Sequence, residues 1–282
     1  MSTCLVLEGG ALRGLYTSGA LAYLYEKGLD VQCIIGVSAG ALFGVNYFSN
    51  QPQRALQYNL KYCKSKRYMS LSSLIFTGNV VNKRFAYYKV TKKLFPFDEE
   101  TFERNNKKFY AVATNVVTGK AEYLKIDKPI EQLEELRATS AMPLLSRIIK
   151  IKKEKYLDGA IADSIPVKKA IEMGYDKIVV ILTQPMGYKK DEVTVKEFKK
   201  LSKRYKQYPE FVKACITRPK RYNKCLDNIN KLAKENKIFV IRPTEKININ
   251  PIKKTNKELQ DAYDLGYNNM KDLYDNLVKF LK

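Results

Sequence analysis

The sequence predicts an α/β protein built on one parallel-dominated central sheet flanked by helices. Three observations carry that expectation. Short apolar runs alternate with helix-length segments from one end to the other. The run at 177–183 (Lys-Ile-Val-Val-Ile-Leu-Thr) is apolar on both faces, as a buried parallel strand is. Glycines stand where strands hand over to helices, at Gly9-Gly10, Gly36 and Gly40. No Pro/Gly/Ser-rich linker and no repeat divides the 282 residues, so a single domain over 1–282 is expected, with a motif-bearing core at 3–183 and a basic helical and strand–helix part at 189–282.

Taken in order, residues 3–8 (Thr-Cys-Leu-Val-Leu-Glu) read as a buried strand running into Gly9-Gly10. Apolar and small residues then recur at helical spacing over 15–27 until Gly28 stops the helix. Residues 31–37 read as a second strand and 39–48 as the helix after it. Strand, helix and strand make a βαβ unit, which sets the two strands parallel. Residues 61–93 carry nine Lys/Arg and no Asp/Glu, and read as helices and loops over one side of the sheet. Two strands at 109–115 and 120–126, joined by a turn at Thr118-Gly119, precede a helix near 129–138. A short strand at 155–157 approaches Asp158-Gly159-Ala160. The helix at 166–173 has proline in its first turn and closes at Gly174. Residues 189–237, with sixteen Lys/Arg against six Asp/Glu, read as lysine-rich amphipathic helix. A strand at 237–242 and a helix at 258–281 complete the chain.

Composition narrows the chemistry. There is no histidine, which excludes a Ser-His-Asp triad, a Cys-His dyad and histidine-ligated zinc. Five scattered cysteines without metal-ligand spacing, and no basic-then-apolar leader, point to reduced thiols in a cytoplasmic protein. The apolar stretch at 33–48 is shorter than the ~20 residues of a spanning helix and holds Ser38, Asn46 and three glycines. A formal net charge of +22 fits an anionic membrane surface, nucleic acid or an acidic substrate, or else a solvated lysine-rich surface. No nucleic-acid module accompanies it, so no nucleic-acid partner is expected, whereas peripheral contact with an anionic membrane remains a functional reading. Composition leaves the oligomeric state open.

Gly36-Val37-Ser38-Ala39-Gly40 fits Gly-x-Ser-x-Gly between a predicted strand and a predicted helix. A serine there sits on a sharp turn with its hydroxyl exposed at a helix N-terminus. The bland reading, a small-residue turn packing a helix on a sheet, is the weaker one. Without histidine, its base must be a lysine, aspartate or glutamate. Asp158-Gly159 follows a predicted strand. Strand ends of an open parallel sheet share one rim, where Asp158 and Ser38 can meet; taken alone, Asp-Gly is an ordinary turn. The loop Gly9-Gly10-Ala11-Leu12-Arg13-Gly14 lacks the endings of a Walker A or Rossmann loop, but its amides suit a developing oxyanion. Arg13 either orders that loop, attracts an anionic head group, or is a surface charge.

These three elements in this order resemble the patatin-like phospholipase family, in its bacterial branch. Ser140-Ala141-Met142-Pro143, Thr114-Asn115 before Thr118-Gly119, Pro166, and the segment from Phe76-Thr77-Gly78-Asn79 to Leu94-Phe95-Pro96-Phe97-Asp98 extend the likeness. The resemblance implies a cytosolic-phospholipase-A-type catalytic domain that hydrolyses lipid acyl esters with a Ser-Asp dyad and neither metal nor cofactor. It makes Ser38 the nucleophile, Asp158 the base, and the amides of Gly9, Gly10 and Ala11 the oxyanion hole, with Arg13, Gly14, Gly36, Gly40 and Gly159 in support. Ala11 departs from the family's third glycine. If that position takes positive φ, alanine adds roughly 1 kcal/mol of strain yet keeps its N–H. A non-catalytic adaptor or regulator with the same fold, and an acyltransferase using the same dyad, are the competing readings.

Overall fold

The computed structural model describes residues 2–250 and 254–282. Among these run eight strands: β1 (Thr3–Leu7), β2 (Cys33–Val37), β3 (Lys108–Asn115), β4 (Ala121–Lys125), β5 (Ile149–Ile151), β6 (Glu154–Asp158), β7 (Lys177–Ile181) and β8 (Phe239–Ile241). They pair along the path β5-β6-β3-β2-β1-β7-β8, with β4 also on β3. The pairings from β3 through β2, β1 and β7 to β8 are parallel; those of β4 and β6 with β3, and of β5 with β6, are antiparallel.

Among the described residues, ten α-helices are set around this sheet: α1 (Gly14–Glu26), α2 (Ala39–Phe48), α3 (Arg54–Tyr62), α4 (Leu71–Thr77), α5 (Glu99–Arg104), α6 (Leu133–Thr139), α7 (Val167–Glu172), α8 (Val195–Arg204), α9 (Pro209–Lys234) and α10 (Asn256–Leu281), with a π-type helix at Lys83–Leu94. Strand alternation divides the core. Leu5, Leu7, Ile34, Val179 and Ile181 face a cluster shared with α1, α2, α3 and α10. Cys4, Val6, Cys33, Ile35 and Val180 face another, shared with α7 and α9. Every residue of β1 and β2 is buried, because helices cover both sides.

The edges of β3 decide where the site lies. Phe109 accepts from the Ile126 amide and Asn115 donates to Lys120, so odd-numbered residues face β4. Lys108 donates to Gln32 and Val116 to Lys155, so even-numbered residues face β2 first and β6 afterwards. Two strands therefore share one edge of β3, running toward each other. β2 ends with Val37 opposite Val112, and β6 ends with Asp158 opposite Ala113.

This corrects the parallel-rim expectation for Asp158: it arrives on an antiparallel strand. β5 and β6 form a hairpin of short, half-charged segments (Ile-Lys-Ile, Glu-Lys-Tyr-Leu-Asp) whose pattern hides their pairing. The expected continuous helix over 189–237 is also broken. Helical structure starts at Val195, stops at Arg204, and resumes with Pro209 in the first turn of α9.

α1 is buried from Gly14 to Leu24, since it lies between the sheet and α10. The two helices touch backbone to backbone. A methyl added at Gly19 would run into the Tyr263 carbonyl, and one at Gly266 into the Tyr16 carbonyl. Gly266→Ala is thus expected to lower unfolding free energy by about 1–3 kcal/mol in urea titration, while Lys271→Ala on the exposed face of α10 stays within about 0.5 kcal/mol of the unchanged protein. Because β8 and α10 share the sheet and core with β1 and α1, far-UV and tyrosine signals should be lost in one transition. Separate transitions would mean that the C-terminal part folds as its own unit.

Candidate active site

Ser38 occupies the turn between β2 and α2 with φ 52° and ψ −122°, a conformation that costs a non-glycine residue about 1–3 kcal/mol. Its surroundings hold it there. The Ser38 N–H donates to Thr139 Oγ1 at 2.8 Å, and the Ser38 carbonyl accepts from Ala41 and Leu42 in the first turn of α2. Gly40 lies against the carbonyls of Leu7 and Glu8, which leaves no space for a Cβ and brings α2 down onto the end of β1. Gly36 sits beside Leu7 in the ladder, and Gly14 opens α1 against Ala39 and Phe43.

Asp158 closes β6. The Ser38 hydroxyl donates to Asp158 Oδ2 at 2.8 Å, while the Ala160 N–H donates to Oδ1 at 2.8 Å. Its backbone is held as firmly: the Asp158 N–H donates to the Ala141 carbonyl at 2.9 Å, and Thr114 Oγ1 donates to the Asp158 carbonyl at 2.8 Å. Gly159 is pressed onto the Val112 carbonyl, a close approach that a side chain would prevent. Burial raises the carboxyl pKa above its usual 3.8. The hydrogen bonds from Ala160 and Ser38 and the positive charge of Arg218 oppose that rise. Ser38 is 8% and Asp158 4% exposed, so the bond between them lies in a low-dielectric setting.

The loop after β1 lies beside this pair. Gly9 packs against Ser38 Cβ and Gly10 against Thr183. Among the described residues, the amides of Gly9, Gly10 and Ala11 donate to no carbonyl or side chain. Ala11 has φ 49°, so the strained geometry that a third glycine would relieve is present, and alanine keeps the N–H. Beneath the loop, buried Glu8 accepts from the Thr183 N–H at 2.6 Å and from the Tyr222 hydroxyl at 2.6 Å, tying β1 to the end of β7 and to α9.

Two cavities meet at Ser38. One, about 1030 Å³ with its open mouth included, is mainly apolar and lies under α2 and the segment after α3, with Leu42, Phe43, Tyr58, Met69, Val90 and Leu136 in its wall. The other, about 780 Å³, is polar and takes in Glu8, the glycine loop, Arg13, Asp158, Lys190 and Arg218. Ala11, Ser38 and Met142 line both.

All the residues singled out in the three motifs therefore gather at one place. Several others at the site were not anticipated. Thr139 and Ala141 form a strap that grips the amides of Ser38 and Asp158; only the unusual Ser140-Ala141-Met142-Pro143 string hinted at it. Glu8, an acid at the end of an apolar strand, was a usable signal. Lys190 and Arg218 were not distinguishable among fifty-one lysines and arginines.

Residues 5–171 match the family model of patatin-like phospholipases, and residues 208–282 match a family described as a domain of unknown function (DUF6363). The uncharacterized protein YjjU of Escherichia coli is 30% identical over 186 residues, covering 64% of this chain and 52% of its own length. The probable lipid hydrolase 463L of Invertebrate iridescent virus 6 is 26% identical over 187 residues, covering 60% and 63% respectively. The matched regions thus span roughly half to two thirds of these curated relatives. Among solved structures, VipD of Legionella pneumophila aligns with 98% of this chain and 67% of its own at a TM-score of 0.47 and 15% identity. With the glycine loop, the serine elbow and the aspartate motif all inside the matched region, the chain belongs to the patatin-like phospholipase family.

Proposed function

We propose that this protein hydrolyses lipid acyl esters, of phospholipids or lysophospholipids, through Ser38 and Asp158. The observation that carries the reading is the direct 2.8 Å bond from Ser38 Oγ to Asp158 Oδ2 in a chain without histidine. As Oγ attacks the ester carbonyl, its proton passes to Oδ2, and the carbonyl oxygen gains charge beside the free amides of Gly9, Gly10 and Ala11. The tetrahedral species collapses to an acyl-Ser38 ester, and the leaving alkoxide takes the proton from Asp158. Water then gives a proton to Asp158 and attacks the acyl group. Ser38 Oγ departs with that proton as the fatty acid is released. The apolar cavity is the natural place for the acyl chain and the polar one for the leaving group.

A fluorophosphonate probe should label Ser38 alone among the serines, as read by peptide mapping. Label elsewhere, or none on folded protein, would remove the nucleophile assignment. Asp158→Asn keeps the size of the side chain and loses the base, so turnover of a p-nitrophenyl ester should fall by about 10²–10⁴. Its Tm at pH 7 should be no lower than that of the unchanged protein. A buried acid with a raised pKa contributes most to stability below pH 3.8 and loses that contribution as pH rises through its folded pKa, and asparagine carries no such charge at neutral pH.

The substrate sits in membranes, and the face around the apolar cavity suits one. α4 projects Leu71, Ile75 and Phe76 with 69%, 79% and 83% of their surfaces exposed. Met69 and Val81, bridged to each other on either side of α4, reach the cavity wall. The surrounding segment 61–93 holds nine cations and no acid. Each is worth about 1 kcal/mol near anionic lipid, and the attraction decays over about 8 Å at physiological salt. No helix among the described residues is long and apolar enough to cross a bilayer. On this reading the enzyme works from the cytoplasm at the membrane surface. Sedimentation with liposomes should rise with the anionic lipid fraction, fall with salt, and drop by at least about tenfold in Ile75→Ser/Phe76→Ser. Equal binding to neutral and anionic vesicles would contradict it.

A further inference from the structure

The polar cavity holds more positive charge than its own structure uses. Arg13 leaves the glycine loop, Lys190 lies between β7 and α8, and Arg218 comes from α9, yet all three line the same 780 Å³ space as Ser38 and Asp158. Lys190 and Arg218 stand outside residues 5–171, matched by the patatin-like model; Arg218 falls within the second match, 208–282. None of the three side chains forms an ion pair or donates a hydrogen bond to an oxygen among the described residues, and the Nε atoms of Arg13 and Arg218 are buried without a partner. Arg221, one turn along α9 from Arg218, shows what a satisfied neighbour looks like. Its guanidinium binds the carbonyls of Ile161, Ala162 and Ala214.

The carboxylates of the cavity act on these cations only at a distance, through Glu8 on Lys190 and Asp158 on Arg218, and make no hydrogen bond to them among the described residues. Both oxygens of Glu8 are already engaged by Thr183 and Tyr222, and those of Asp158 by Ser38 and Ala160. Lys190 instead rests over the Tyr222 ring at 4.6 Å. Desolvation, together with the neighbouring charges of Arg218 and Arg13, lowers its pKa to about 8, against the opposing pull of Glu8 and Asp191.

We propose that Arg13, Lys190 and Arg218 form a phosphate subsite that holds the phosphorylated leaving group of the substrate beside the Ser38–Asp158 pair. The assignment of the bound group as a leaving group rests on the hydrolase reading; the subsite itself does not. A phosphate brings one negative charge as a diester, or up to two as a monoester, and several acceptor oxygens into a space where three cationic side chains have no hydrogen-bond partner among the described residues. Its position on the polar side of Ser38 leaves the acyl chain to the apolar side. Neutral glycerides would lack this contact.

Two substrates with the same acyl chain separate the cases: butyrylglycerol 3-phosphate and butyrylglycerol, both monomeric in water. The unchanged protein should prefer the phosphorylated ester in kcat/KM. Lys190→Gln and Arg218→Gln should each reduce that preference by about tenfold to a hundredfold, with Arg218→Lys retaining much of it. A preference unchanged in both glutamine variants would overturn the subsite. Calorimetric titration with glycerol 3-phosphate supplies a readout independent of turnover, since binding should weaken by a similar factor in the same variants. Loss of turnover on both esters with glycerol 3-phosphate binding intact would fault the hydrolase reading and keep the subsite. Inorganic phosphate distinguishes the source. Binding at least about tenfold weaker than glycerol 3-phosphate supports a head-group site, and equal binding would overturn the leaving-group role.

Discussion

One edge of one strand organises this protein. β2 and β6 occupy successive parts of the same edge of β3 and approach from opposite directions, so their tips end on adjoining rungs. The residue after the tip of β2 is Ser38 and the last residue of β6 is Asp158. Two side chains 120 positions apart are therefore brought to 2.8 Å by the hydrogen-bond register of the sheet. Register in a buried sheet is strongly specified, since a slip of one residue would turn every apolar side chain to the wrong face. On the proposed function, that rigidity takes the place of a third residue that would orient the base.

The strap Thr139–Ala141 adds the second fix. Thr139 accepts the Ser38 amide and Ala141 accepts the Asp158 amide, so one short segment at the end of α6 controls both backbones. The Asp158 carboxylate is left with opposing influences. Burial favours its protonated form, whereas two hydrogen bonds and Arg218 favour the charged form that a base requires. Arg218 thus belongs both to the electrostatics of the dyad and to the wall of the polar cavity. On the proposed function, a group bound in that cavity and the strength of the base are coupled through it.

Much of this was legible in the sequence because the signals were local. A strand meeting two glycines, Gly-x-Ser-x-Gly between an apolar run and a small-residue helix, and Asp-Gly after a short strand each record a turn that few other residues allow. The joint appearance of the three, with no histidine, pointed to the dyad. What could not be read was the pairing of β6 with β3. Its sequence Glu-Lys-Tyr-Leu-Asp has no burial pattern of its own, and its direction depends on a hairpin with β5 only three residues long. Likewise the return of α9 over the polar cavity depends on the break after Arg204 and the restart at Pro209, which a lysine-rich periodicity conceals. The strained Ala11 was foreseeable only as a condition, and the structure meets it.

The central claim is that a buried aspartate acts as the base directly on the serine. The most direct test is the pH dependence of kcat/KM for a neutral, monomeric ester, measured for the unchanged protein and for Arg218→Gln. The account predicts one ascending limb. It follows ionisation of Asp158, so its midpoint lies above 3.8, and removing the nearby positive charge of Arg218 moves it to higher pH. A limb that stays in place in Arg218→Gln, or that vanishes in Lys190→Gln, whose lysine titrates at about 8, would contradict the account and transfer the role of base to another group.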